Sequence, residues 1–483
     1  MPPAGYMTSG AIETVLVLLN AAYPAFTQLI PLPETSVEGR VIRTLRIRAG
    51  GGDRNGVLLV GGTHAQELIN PDLLVGLAYK LCWAYDNNIG LTLGATTWTA
   101  RDIRLLVDEL DIFILPLLNP DGREYVFSPS GDQWWRKNRG FNADGSRGTD
   151  LNRNYDFLWQ WTIGNTSSVP NSHVYKGSAP FSEPETRNVR WLLDTFPDIT
   201  AFVDVHSYSE FVLHPWGDDD NQSTDPDQNF LNPAWDGLRG VRGSGYAEYI
   251  PAADATRLKN VGNKVRDAIA AVRGRAYTVK QEVEVYPTCG VSSDYAYSRF
   301  FRVGGKRKVW AYVYETNRWD QGQQYGFQPP YADALEVSLE VQSGLIQFIT
   351  SCLCVVREVG KTLLSPDILD ALSNFRDSEM MQSARGRRWV DLLEMHGEEV
   401  LLLLRKDRAA WQAAAKILSG GAAIVLGRDK TPPPKIERAL VTQIQRFLAQ
   451  LEKRASPELK KALGDVRGDL RKVAGKTARQ ALR

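Results

Sequence analysis

Gly61-Gly62-Thr63-His64-Ala65-Gln66-Glu67 is the stretch on which the reading of this chain turns. It follows the apolar run Val57 to Val60, so an imidazole and a carboxylate three residues apart leave a buried strand at its corner into a loop. Histidine is scarce, with five in 483 residues. A second one, His206, closes another apolar run, Thr200-Ala201-Phe202-Val203-Asp204-Val205. Two imidazoles and a carboxylate make the three-donor set of a catalytic zinc whose fourth position stays open for water. A His-x-x-Glu pair alone is a common chance spacing. Its context adds weight, because both histidines end buried-strand patterns and precede polar loops, where open α/β sheets place their ligands.

With 43% hydrophobic residues and 41 glycines, the chain can bury a large core, but its length suggests two domains. The net charge of +1 excludes strong steering by the molecule as a whole. Cys82, Cys289, Cys352 and Cys354 show neither a disulfide framework nor a Cys-x-x-Cys metal spacing. The N-terminal segment has no basic region and is interrupted by Glu13, so no signal peptide is expected. No membrane-spanning helix is expected either, and the expected location is the cytoplasm.

In chain order, Gly10 to Ala25 has helical spacing, with Ile12, Val15, Leu16, Leu19 and Ala22 on one side. Ser36 to Arg40 reads as a turn, Val41 to Ile47 as an alternating strand, and Pro71 to Tyr79 as a helix. Asp111 to Leu118 reads as a strand stopped by the turn Asn119-Pro120-Asp121-Gly122. This alternation predicts an α/β fold: a mixed, mostly parallel central sheet flanked by helices. Asp218 to Asp254 reads as surface loops, with Asp218-Asp219-Asp220 a solvated run in preference to a calcium site. Ala255 to Arg273 and Tyr331 to Ile349 are helical, and the latter would close the domain.

A loop-rich region before His206 carries Trp134-Trp135-Arg136-Lys137-Asn138-Arg139 and Thr149-Asp150-Leu151-Asn152-Arg153-Asn154-Tyr155. Loops of this length in a compact domain tend to be functional. Arg136 and Arg153 are open to two readings: surface cations, or fixed guanidinium forks that bind a carboxylate and polarise a carbonyl.

Taken together, His64-x-x-Glu67, Asn119 to Gly122, Trp135-Arg136-Lys137, Asp150-x-Asn152-Arg153-Asn154 and His206-Ser207-Tyr208 stand in the order of the zinc metallocarboxypeptidases related to carboxypeptidases A and B. Tyr286 to Asp294 resembles that family's tyrosine loop, and Tyr314-Glu315 with Tyr325-Gly326-Phe327 and Pro329 resembles its catalytic glutamate segment. The resemblance runs from about Tyr6 to about Leu353 and places a catalytic domain at residues 1–353.

The resemblance implies one zinc per chain, held by His64, Glu67 and His206, with Asp150 orienting a ligand imidazole. It implies that Glu315 is the general base for attack by zinc-bound water, and that Arg136 stabilises the developing oxyanion. It also implies that Asn152 and Arg153 clamp the substrate's terminal carboxylate while Tyr286 closes over it, and that Ser207, Tyr208 and Ser293 belong to the substrate site. By pattern alone Glu315 is equally an acid capping the run Val309 to Tyr314. Two positions depart from the family. Gln66 stands where digestive members have a basic residue, and Ser293 stands where the terminal side chain is read. Ser293 supplies neither an acid nor a branched apolar group, so a neutral or aromatic terminal residue is expected. The substrate implied is a peptide or protein C-terminus. Alternatives on the same scaffold are an amidase for a peptidoglycan stem or a glutamyl side chain, an N-acyl amino acid hydrolase, and a catalytically dead scaffold.

After Cys354 the composition shifts to Leu, Ala, Arg, Lys and Glu in helical spacing, over Trp389–Leu404, Ala409–Leu418, Lys435–Leu451 and Pro457–Ala474. Residues 354–483 therefore read as an all-α domain, broken at the three prolines before Lys435. From Arg428 onward there are 15 Lys plus Arg against 6 Asp plus Glu. That balance fits an anionic or protein partner, or a solvated helical pair with Arg/Glu neighbours.

Overall fold

The computed structural model of the protein describes residues 2–52, 54–302 and 306–483. The chain forms two compact units, Met1–Gly50 with Arg54–Cys352, and Gly51–Asp53 with Leu353–Arg483.

The first unit is built on eight strands: β1 (Thr27–Thr35), β2 (Val41–Ile47), β3 (Gly56–Gly61), β4 (Asp111–Leu115), β5 (Ile199–Ser207), β6 (Phe211–His214), β7 (Thr278–Gln281) and β8 (Trp310–Thr316). They lie in the order β1-β2-β4-β3-β5-β8-β6-β7. The central run β4-β3-β5-β8 is parallel, as is β6 with β7, while β1-β2, β2-β4 and β8-β6 are antiparallel. The sheet is thus mixed and mostly parallel. Every residue of β3, β4 and β5 is buried, which is why these strands read as unbroken apolar runs. A parallel strand covered on both faces has no solvent side to mark by alternation. At the edge, β1 contains Pro31 and Pro33 and alternates in burial. An edge strand tolerates the missing N–H groups, but the prolines erase the strand signal, and this element was not expected.

Ser9–Ala22 starts at Thr8, whose side chain accepts from Ala11 N, and buries Ile12, Leu16 and Leu19. Ile69–Asp86, Ala252–Arg273 and Tyr331–Thr350 pack together as one layer, while Pro184–Thr195 meets β1 and Ser292–Arg302 meets β8 and β5. The helix expected at Pro71 to Tyr79 is therefore longer at both ends. Asp218, expected in a solvated loop, is fully buried beside Glu248, and burial with its neighbour Asp219 pushes it up to about 7.

The sheet aligns three strand ends. Gly61 of β3 pairs with Val205 of β5, and His206 of β5 pairs with Glu315 of β8. The chain leaves β3 to reach β4 on one side, while β5 and β8 lie on the other, which opens a crevice at the carboxyl ends.

The second unit is helical, with Val355–Gly360, Pro366–Phe375, Ala384–Arg405, Arg408–Leu426, Arg438–Glu452, Pro457–Val473 and Ala478–Leu482. Its small cores gather Leu364, Leu369 and Ala422, and separately Phe375, Ala478 and Leu482. Arg408–Leu426 is long and apolar enough to cross a membrane by length and composition alone. It packs against four other helices of its own unit. Part of the tail's positive charge is paired internally, Arg454 with Asp407 and Arg467 with Glu452.

Phe202, fully buried in β5, tests the packing of the central strand. Phe202→Ala should cost about 3–5 kcal/mol in urea denaturation followed by tryptophan fluorescence. A cost below about 1 kcal/mol would contradict a close-packed position.

Candidate active site

The loop after β3 is fixed before any donor is placed. Gly62 has φ +63°, and a Cβ there would lie 2.8 Å from Leu117 Cδ1, so a side chain is excluded by both conformation and space. Asn119 then clamps two segments: its amide donates to Thr63 O (3.2 Å) and Lys137 O (3.0 Å), and its carbonyl accepts from Gly122 N (2.9 Å). Ala65 N donates to Arg136 O (3.1 Å). The Asn119 to Gly122 turn thus ties the His64 loop to the Arg136 loop.

Three donor atoms converge. His64 Nδ1 is 2.7 Å from Glu67 Oε1 and 3.0 Å from His206 Nδ1, which lies 3.2 Å from Glu67 Oε2. All three residues are buried. On their far sides, His64 Nε2 is 2.9 Å from Asp150 Oδ1, and His206 Nε2 is 3.1 Å from Asp204 Oδ2. Burial opposes the Glu67 carboxylate, yet the two imidazoles hold it down at about 2. Burial also opposes a charged His206, but Asp204 and Glu67 raise it well above the usual histidine range. The cluster therefore demands positive charge at its centre. A divalent cation meets that demand, and the donor set of two imidazole nitrogens and a carboxylate suits zinc, whose tetrahedral bonds of about 2 Å place donors about 3.3 Å apart.

Asp150 serves two partners. While Oδ1 faces His64, Oδ2 accepts from both Nε and Nη2 of Arg136 at 3.0 Å. Despite complete burial, Arg136 and His64 hold its carboxyl well below the usual range. Its Oδ1 also accepts from Asn152 N (3.0 Å), starting the short turn Leu151–Arg153. Arg153, buried, donates to Asn165 O (2.8 Å) and Asn152 O (2.6 Å).

A cavity of about 220 Å³ joins these groups. His64, Glu67, Arg136, Asn152, Arg153, Ser207, Tyr208, Tyr286 and Glu315 line it. Burial, opposed by His206 and Arg136 but assisted by Glu67, pushes Glu315 up to about 8. Tyr286 is 43% exposed at the rim. Tyr208 lies edge-on to Phe327 and directly over Gly326, where a Cβ would come within 2.4 Å of its ring. Ser293 is placed differently from the sequence reading. It is fully buried behind the wall, and its hydroxyl donates to Glu282 Oε2 (2.7 Å), while Glu282 lines the cavity.

Two residues were missed in the sequence. Asp204 interrupts an apolar strand, and that interruption was the available signal; it accepts from Thr63 Oγ1 (3.0 Å) and Ser292 Oγ (2.7 Å). Glu282 stands in Glu282-Val283-Glu284-Val285, which reads as an ordinary half-exposed alternation.

The sequence model of the family described as zinc carboxypeptidase matches residues 12–342. The chain belongs to this family. It is 28% identical over 314 residues to carboxypeptidase B of Astacus astacus, covering 64% of this chain and 85% of that protein. It is also 30% identical over 223 residues to a protein of Talaromyces stipitatus named inactive metallocarboxypeptidase ecm14, covering 44% of this chain and 35% of that protein. For some other carboxypeptidase relatives the matched share is below two thirds of their length. Among solved structures, thrombin-activatable fibrinolysis inhibitor shares the fold, with TM-score 0.57, 22% identity, and coverage of 72% of this chain and 74% of that one.

The geometry around Asp150 is testable. Asp150→Asn should weaken zinc binding about 10–100-fold in a chelator competition, because the amide no longer fixes the His64 ring or draws Arg136 into place. Unchanged zinc affinity would contradict this arrangement.

Proposed function

We propose that the protein is a zinc-dependent carboxypeptidase that hydrolyses the C-terminal peptide bond of a peptide or protein. The observation that supports this most is the opening of the His64, Glu67 and His206 cluster into one cavity that also holds Glu315, Arg136 and Arg153. His64, Glu67 and His206 would hold zinc, which supplies a Lewis acid and a water of lowered pKa.

The remaining chemistry belongs to the chain. Glu315 takes the proton of the attacking water and passes it to the leaving amine. Arg136, aimed by Asp150, donates to the oxygen on which negative charge develops. Arg153 and Asn152 receive the substrate's terminal carboxylate, and Tyr286 covers it from the rim. An internal peptide brings no carboxylate to this end of the cavity and would leave the buried Arg153 guanidinium without an anion. This is the physical basis for cleavage at the terminus alone.

Elemental analysis and a panel of blocked dipeptides with free C-termini test the proposal. About one zinc per chain is expected in both wild type and Glu315→Gln, with kcat/KM lowered roughly 10²–10⁴-fold in the variant. Hydrolysis at the wild-type rate by Glu315→Gln, or zinc-loaded protein that cleaves no peptide, would overturn it.

A further inference from the structure

The cavity wall carries one acid that the reaction above does not use. Glu282 is 7% exposed, lines the cavity, and receives a hydrogen bond from Ser293 Oγ. Next to it Asp294 is fully buried and accepts from Gly217 N at 3.0 and 3.2 Å. An ideal Cβ on Gly217 would lie 2.9 Å from Thr288 Oγ1, 3.1 Å from Asp294 Oδ2 and 3.4 Å from the Glu282 carboxyl carbon. Two carboxyl groups and a hydroxyl thus meet around a glycine that leaves room beside them. Among the described residues, neither acid has a Lys or Arg nitrogen within ion-pair distance.

A buried carboxylate is costly, and burial raises both groups above their ordinary range, although Ser293, Arg153 and His206 favour the charged form of Glu282. A cation supplied from outside would relieve that cost. Leu213, Val285 and Val313 line the same cavity as Glu282, so apolar surface and an acid are available to one ligand. That profile matches a side chain with a long aliphatic stem and a cationic head.

We propose that Glu282, held by Ser293, selects substrates whose C-terminal residue is lysine or arginine by pairing with the cationic end of that side chain. This rests on the carboxypeptidase reading and replaces the neutral or aromatic terminal residue expected from Ser293 alone. Ser293 is then a positioning residue, and Glu282 is the group that touches substrate.

The test uses the full-length, zinc-loaded protein. Blocked dipeptides ending in Arg, Lys, Leu and Phe are compared for wild type and Glu282→Gln. Wild type should favour Arg and Lys over Phe in kcat/KM by about 10²-fold, and the ratio of the two should fall towards one in the variant. Calorimetric binding of free L-arginine and L-phenylalanine gives a readout that needs no turnover. Preference of the wild type for Phe or Leu would overturn the proposal even without the variant, and so would a basic preference that survives in Glu282→Gln. Arginine binding that depends on Glu282, with no peptide cleaved, would uphold the pocket assignment and remove the carboxypeptidase reading. Cleavage without any Glu282-dependent preference would do the reverse.

Discussion

The parallel pairing of β3, β5 and β8 is the constraint on which the site depends. Parallel register places all three carboxyl ends at one edge, so His64, His206 and Glu315 meet although they are far apart in sequence. The same burial that makes the strands apolar on both faces makes every polar group at their ends expensive unless it is partnered. Asp204 shows the solution. It lies within β5, its two oxygens accept from Thr63 and Ser292, and Oδ2 lies 3.1 Å from His206 Nε2, so one buried carboxylate joins two strand ends and a helix start.

Asp150 does for the loops what register does for the strands. By facing His64 with one oxygen and Arg136 with the other, and by opening the turn that carries Asn152 and Arg153, it gives a segment without regular structure a single arrangement. Asn119 adds a second tie between the same loops. Long aperiodic loops keep a defined shape here because buried polar groups, rather than a hydrophobic stripe, specify it.

How much of this was legible in the sequence follows from how local each signal is. The β3, β4 and β5 strands were readable as apolar runs, and Ser9–Ala22 and the C-terminal helices as periodic stripes. The edge strand β1 was not, because its prolines mimic a loop. At the site, His64 and Glu67 share one turn, and His206 ends a run, so their types and contexts sufficed to single them out. Glu282 was hidden for the opposite reason. Its meaning depends on burial created by Ser293, Asp294 and Gly217, which come from distant segments, and its own neighbours look like a solvent-facing alternation. Asp218 was misread likewise, since an acidic run gives no sign that its first member turns inward.

The central claim is that the three strand-end donors hold one zinc ion. Crystals of the purified protein measured on either side of the zinc absorption edge test it most directly. The account expects a single anomalous peak about 2.0–2.1 Å from His64 Nδ1 and His206 Nδ1, with Glu67 as the third protein ligand. No peak there, in protein purified with zinc present, would contradict it.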